Sequence, residues 1–319
     1  MCYSAQIRQD YRKFIREIGA RIDIDEFVRL YWERQQGSGA KIPRAMDAMF
    51  AQPQTADERR IADLIAGFDR AEAARLEQLL FMQRKRLADA ERSLEGKPTK
   101  AATESARIAR RKVAWAMGKL AQLRRRSLAA DDARIFPGWH APVLVGDNGQ
   151  RVVRPMRYQC RPEGKPANYD RRYPGTYNAR RDNLGRFWKP LFGRRHGILA
   201  VEVFFENVAL HRVEQRELGP GEAERNVVLE FRPRPAQQML VACLWSPWSG
   251  AGEPDLLSFA AITDEPPAEI AAAGHDRCVV PILSRNIDAW LNPDPRDLAA
   301  QQRILDERAR PYYEHRMAA

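Results

Sequence analysis

Apolar residues recur along this chain with two different periods, and the change of period divides it. Between residues 5 and 35, Tyr11, Phe14, Ile15 and Ile18 recur at helical spacing, and Phe27, Leu30 and Tyr31 repeat the pattern. The spacing predicts short helices there, closed by a Gly-rich break, QQGSGA at 35–40. From about 56 to 128 the chain is rich in Ala, Arg, Glu, Leu and Gln, with Pro98 its one proline. Leu76, Leu80 and Leu87 mark one helical face; Val113, Met117 and Leu120 mark another. Gly96-Lys97-Pro98-Thr99 between them is a turn signal, so the expectation is two long helices folded into a hairpin.

From about 135 the period shortens to two. Val152 to Cys160 alternates, and ILAVEVFF at 198–205 is a nearly unbroken apolar run of the kind a doubly buried strand carries. NVVLEFRP, MLVACLW, LLSFAAIT and CVVPIL follow with turns between them. Asn286 to Leu291 and Asp297 to Arg310 predict closing helices. Such closely spaced strands with a few helices predict an α+β fold with a mostly antiparallel sheet core, flanking helices and an inserted helical hairpin. The expected organisation is a catalytic domain formed by 1–35 and 130–319, interrupted by a helical insertion over 36–129.

Composition narrows the classes. The 319 residues are 44% hydrophobic and 30% charged, which allows a packed core and argues against wholesale disorder. No apolar run reaches the ~18 residues a membrane helix needs. The first residues, MCYSAQIRQDYRKF, turn charged too soon for a secretory signal. Four scattered cysteines without a CxxC pair argue against a zinc ribbon or a disulfide scaffold, and the reducing cytoplasm is the expected compartment, at the nucleoid in a bacterium. No metal or organic cofactor is expected. There is no phosphate-loop, HExxH or GxSxG motif. The net charge of +11 favours a polyanionic partner, with nucleic acid first. Much of that charge lies on the second predicted helix, at Arg107, Arg110, Arg111, Lys112, Lys119 and Arg124 to Arg126. Either a solvated face or a phosphate-tracking rail accounts for it.

Four places could carry chemistry. Cys2 follows an initiator Met that precedes a small residue, where trimming is usual. Trimming exposes an α-amine of pKa about 8 beside a thiol of pKa about 8.5. Such an aminothiol can form a Schiff base with an aldehyde and then close to a thiazolidine. Asn178 in the string YNARRD offers a donor and an acceptor, and Arg180 offers a fork suited to phosphate. Glu206 ends the apolar run, where partial desolvation suits a carboxyl to proton transfer. His275, in GHDR before the CVVPIL strand, has acid and base neighbours and suits acid–base work near neutral pH.

Taken in order, Met1-Cys2, NARRD at 178–182, FFE at 204–206 and HDRCVVP at 275–281 resemble the pattern of the SRAP family (SOS-response-associated peptidase). PMRYQCRP at 155–162 and FWKPLFGRRHGILAVEVFFEN at 187–207 add to the likeness, which covers the first residues and roughly 135–292. The resemblance implies recognition of abasic sites in single-stranded DNA and a covalent thiazolidine link through Cys2. It implies Asn178 as positioner, Glu206 as proton carrier and His275 as the acid at the sugar oxygen. Arg180, Arg181, Arg157, Arg277 and Trp139 are the expected DNA contacts. A lyase side activity belongs to the same expectation. A cysteine autopeptidase acting on protein and a non-covalent nucleic-acid-binding module are the alternatives. The sequence departs from the family at Tyr3-Ser4, where Gly-Arg is usual, and at Tyr158-Gln159, where Trp-Gly is usual. The helical insertion has no counterpart in an ordinary member.

Overall fold

Two long strands organise the molecule, each pairing with one set of partners along its first half and another along its second. The computed structural model describes residues 2–96 and 98–318, with backbone alone at Cys2 and Tyr3. The first long strand, β7, is preceded by β1 (Cys2–Ile7), β2 (Arg21–Ile22), β3 (Arg134–Ile135), β4 (His140–Asp147), β5 (Gln150–Tyr158) and β6 (Asn178–Arg180), and itself spans His196–Ala209. Then come β8 (Asn226–Arg234), β9 (Met239–Gly250), the second long strand β10 (Glu253–Asp264), β11 (Cys278–Val279) and β12 (Tyr312–Met317).

The ladders β4–β5, β5–β10, β10–β9, β9–β7 and β7–β4 close a ring. All are antiparallel except β5–β10. Alternate residues divide between two clusters, as a period of two demands. Val143, Val145, Met156, Leu199, Val201, Cys243 and Phe259 fall in one. Leu144, Val153, Ile198, Ala200, Ala242, Leu244 and Ala260 fall in the other, with the apolar faces of the helices α1 (Tyr11–Glu17), α2 (Ile24–Gln35) and, later in the chain, those around Trp290 and Leu305. The faces of several helices cover the second cluster, which is therefore the outer one, whereas single helical residues such as Ala45 and Ile270 join the first. Gly197 permits the closest approach inside β7: a Cβ there would lie 2.9 Å from Val143 Cγ1.

Past the ring both long strands continue. β7 passes from β4 to β1 on one side (Ala5↔Phe204, Cys2↔Glu206) and from β9 to β8 on the other. β10 passes from β5 to β6 and from β9 to β11. The extensions share the inner cluster through Phe204, Phe231, Cys278, Val279 and Tyr313.

The remaining helices are α3 (Arg44–Asp47), α4 (Ala56–Gly96), α5 (Lys100–Arg124), α6 (Tyr169–Arg172), α7 (Leu210–Val213), α8 (Ala268–Ala272), α9 (Ile287–Leu291) and α10 (Leu298–Asp306). The α+β class and the mostly antiparallel sheet follow the sequence reading, and α4 and α5 pack against each other as a hairpin. Three local expectations are corrected. Residues 5–7, read as helical, continue β1, because pairing with the rigid second half of β7 outweighs the local pattern. The packed face of α5 is Ala106, Ala109, Ala116 and Leu120, while Met117 is half exposed. The predicted helix to Arg310 stops at Asp306, and β12 follows as an edge strand against β8. Its residues YYEHRM bury Tyr313 and little else, so they carry no clear periodic signal.

Candidate active site

The extensions of β7 and β10 meet at a buried carboxyl. Glu206 is fully buried, beyond Val201, where β7 makes its last pairing within the ring. Its backbone faces Cys2 in the β1–β7 register. Its Oε2 lies 3.4 Å from Nε2 of His275. Gly274 sets that histidine's approach, with φ +89°, and a Cβ there would meet Arg212 Cβ at 2.8 Å. A side chain at 274 would therefore be strained and would push His275 away from β7. The side chain of Cys2 and all of Met1 lie outside the described residues.

The histidine's other nitrogen, Nδ1, lies 2.9 Å from the Arg277 carbonyl oxygen and 3.3 Å from the Arg277 amide nitrogen. Nε2 faces the carboxyl oxygen at a distance that one proton between the two groups would bridge. Burial of His275 pushes its pKa below the ordinary imidazole value. The pair thus sets two proton-exchanging groups side by side, an arrangement suited to acid–base work.

Asn178 opens β6 on the other extension, opposite Ala261 of β10. It is 6% exposed, yet among the described residues neither its amide nitrogen nor its amide oxygen has a hydrogen-bond partner. Thr263, two residues along β10 and on the same face, is 1% exposed with an equally unsatisfied hydroxyl. Each such group costs about 1–3 kcal/mol when left unpaired. The two lie on one face of the β6–β10 pair, a diagonal step apart in its register.

The predicted DNA contacts fare differently from one another. Arg180 is half exposed and forks onto Asp182 at 2.7 and 3.0 Å. Arg277 lies largely covered, 3.4 Å from Asp276. Arg181 bridges Asp264 (3.1 Å) and Asp306 (2.5 Å), tying β10 to α10. Arg157 and Arg161 share Asp170 at 2.6 and 2.7 Å. Trp139 is partly buried against Phe136, with ring centroids 5.8 Å apart. Arg157 and Arg181 therefore spend their forks inside the protein, while Arg180 keeps its ion pair with Asp182 at the surface.

Sequence reasoning missed Arg134. It comes from β3, beside β1, and its Nε donates to Ser4 Oγ at 3.0 Å while its guanidinium lies 3.7 Å over the Phe205 ring. Ser4 stands where the SRAP pattern has arginine, and an arginine 130 residues further along the chain hydrogen-bonds to it. No local signal reveals it. An open groove of about 740 Å³ runs past His275, lined also by Arg212 and Asp276. The three other cysteines are buried, and burial pushes Cys160 up to about 12 and Cys243 and Cys278 higher still, with Glu206 adding to the effect at Cys278. They are poor nucleophiles. Among the described residues no three His, Cys, Asp or Glu side chains are grouped to hold a metal ion.

Among the solved structures similar to this chain are two proteins from Bordetella bronchiseptica and one from Bacteroides thetaiotaomicron. The first Bordetella protein is 16% identical, covers 59% of this chain and 87% of its own, and has a TM-score of 0.46. The Bacteroides protein is 12% identical, with 61% and 81% covered and a TM-score of 0.45. The second Bordetella protein, described as phage-related, is 18% identical, with 61% and 85% covered and a TM-score of 0.43. No curated protein matches the sequence. The family model for SOS response associated peptidase (SRAP) matches residues 99–318. That span is more than two thirds of the chain and takes in α5, the ring, both extensions and β12, and on it this chain belongs to the SRAP family.

Proposed function

We propose that this protein recognises abasic sites in single-stranded DNA and joins to them through Cys2 after loss of Met1, which shields the lesion. Family membership supports a DNA-directed role associated with the SOS response. The observation that carries the finer reading is the β1–β7 register, in which Cys2 faces Glu206 while His275 touches the same carboxyl.

The ring-opened abasic sugar is an aldehyde. The Cys2 amine adds to its carbon, and the carbinolamine loses water to give an imine. The thiolate then adds to the imine carbon, and the nitrogen takes up a proton. Aldehyde and aminothiol thus give thiazolidine and one water. Each step moves a proton to or from an atom beside Cys2, which is what the Glu206–His275 pair serves. His275 gives a proton to the sugar oxygen at ring opening. Glu206 takes one from the amine and returns one to the leaving hydroxyl. Asn178, with both ends of its amide open, holds the sugar or the amine in line. Arg180 and Arg134 offer charge to the flanking phosphates.

The test is a denaturing gel of protein mixed with a single strand holding one abasic site, or with the intact strand. A shifted band with the first only, absent in Cys2→Ala, is the expected result. Peptide cleavage that needs no DNA would favour the peptidase alternative. Salt-sensitive binding without a covalent band would favour the non-covalent one.

A further inference from the structure

The hairpin carries a feature that the chemistry at Cys2 does not use. Over Ala56–Gly96, α4 is nearly balanced, with eight Lys or Arg against nine acids. Over Lys100–Arg124, α5 has seven Lys or Arg against Glu104 alone, more than half of the chain's net +11. Arg110 and Arg124 are paired across the seam with Glu91 (2.7 Å) and Glu77 (2.9 Å). Arg107 is held by Glu104. Beyond them, Arg111, Lys112 and Arg126 are exposed, and among the described residues none has an acidic partner at ion-pair distance. Lys119 is exposed and donates to Gln122.

These cations are not scattered. Arg107, Arg111, Trp115 and Lys119 follow one another at i, i+4 steps, about 6 Å apart along the axis, with Lys112 beside them. Trp115 is 47% exposed in the middle of the row. One turn on is Gly118, around whose missing Cβ no atom lies within 4 Å. A mid-helix glycine costs about 1 kcal/mol relative to alanine. Gly67 in α4 has a packing reason, since a Cβ there would meet Gln35. Gly118 has none inside the protein, and it opens the helix backbone next to the exposed indole.

The row is also held rigidly. Ile61 is fully buried, and the Arg34 guanidinium lies between the rings of Tyr31 (4.8 Å) and Phe68 (4.4 Å). Arg44 donates to the carbonyl oxygens of Gln122 and Arg125 at the end of α5. At Arg134 the chain enters β3, which pairs with β1 at Ala5↔Ile135.

We propose that this outer face of α5 is a second contact surface for single-stranded DNA, with Arg111, Lys112 and Lys119 on phosphates and Trp115 under a base. A polyanion matches a face whose cations outnumber its one acid, Glu104, and an exposed aromatic among cations is how base-stacking platforms hold single strands. The partner class rests on the reading of the protein as DNA-directed; the surface itself does not need the covalent step.

The test uses the full chain carrying Cys2→Ala and an intact single strand of about 30 nucleotides, longer than one binding fold occupies. Binding is followed by anisotropy across a salt series. Adding Arg111→Gln, Lys112→Gln and Lys119→Gln is expected to flatten the log–log salt slope by about 2, at roughly 0.7 for each phosphate no longer neutralised. Adding Trp115→Leu instead is expected to weaken binding about tenfold with the slope kept. Circular dichroism that matches the parent shows that the helices survive. If both variants bind the strand as the parent does, the proposal is overturned. It is equally overturned if duplex of the same length binds more tightly than single strand with Trp115→Leu silent, or if polyglutamate competes as well as DNA. In the Cys2 background the same three glutamines should leave crosslinking to a short abasic oligomer intact. A flattened slope without any crosslink in the unmodified chain would leave this surface standing and remove the chemistry at Cys2.

Discussion

The two halves of β7 each bury an ionisable group, His196 in the ring and Glu206 in the extension, and they treat it in opposite ways. In the ring half, His196 stacks on Trp290 with centroids 3.9 Å apart. Its Nδ1 donates to the Trp290 carbonyl (3.0 Å) and its Nε2 accepts from the Gly193 amide (2.8 Å). Both nitrogens are satisfied by backbone, and burial pushes the ring down to about 3, so it stays neutral. In the extension, Glu206 faces the side chain of His275 over 3.4 Å, a contact between two groups that both exchange protons, with the open amide of Asn178 on the neighbouring extension. The difference teaches how to separate a core histidine from a working one: the first has nothing left to give.

That contrast can be broken in order of effect. Glu206→Gln should slow crosslinking by about 100-fold or more, the usual worth of a positioned proton carrier, with the melting temperature little changed. A single-turnover time course checks it. His275→Ala should slow the same reaction less if Glu206 alone can still shuttle protons, by about tenfold. For His196→Gln the expectation is reversed: several kcal/mol of stability lost, read by urea unfolding, with crosslinking per folded molecule unchanged.

The linkage of His196 has a definite sign. Between about 3, its folded value, and 6.5, its unfolded value, the unfolded chain binds a proton that the native chain refuses. Stability from this group is therefore full above 6.5 and is lost as pH falls through that window, at about 1.4 kcal/mol per unit. From pH 7 down to 4, unfolding free energies should fall less steeply in His196→Gln than in the parent, by about 1.4 kcal/mol per unit, while His140 and His275, also pushed down by burial, keep their share of the slope.

The smallest effect concerns Gln159, where the SRAP pattern has glycine. Its φ is +107°, and its side-chain amide donates to the carbonyls of Asp170 and Pro174. Both Gln159→Gly and Gln159→Ala lose those bonds, but alanine keeps the backbone strain. The glycine variant should be the more stable of the two by about 1 kcal/mol in chemical denaturation.

The same contrast explains what is legible in the sequence. The apolar runs mark β7, β9 and β10 because burial on both faces leaves no polar alternation to misread. The end of β1 reads as helix because its fold comes from β7, far along the chain. Glu206 and His275 stand out by their motifs, and the structure brings them together. Arg157 and Arg181 look like phosphate contacts because their partners, Asp170, Asp264 and Asp306, are set by tertiary packing and not by spacing. Arg134 is invisible for the same reason. A guanidinium's partner is the least local fact in a sequence this rich in arginine.

The central claim is that an aminothiol at position two captures a sugar aldehyde beside the Glu206–His275 pair. Intact-mass spectrometry of the protein after incubation with an abasic single strand tests it most directly. The account predicts a species equal to the Met1-free chain plus the strand minus one water, with the added mass mapped to Cys2. A chain that keeps Met1, or a Met1-free chain that gains no such mass, would contradict it.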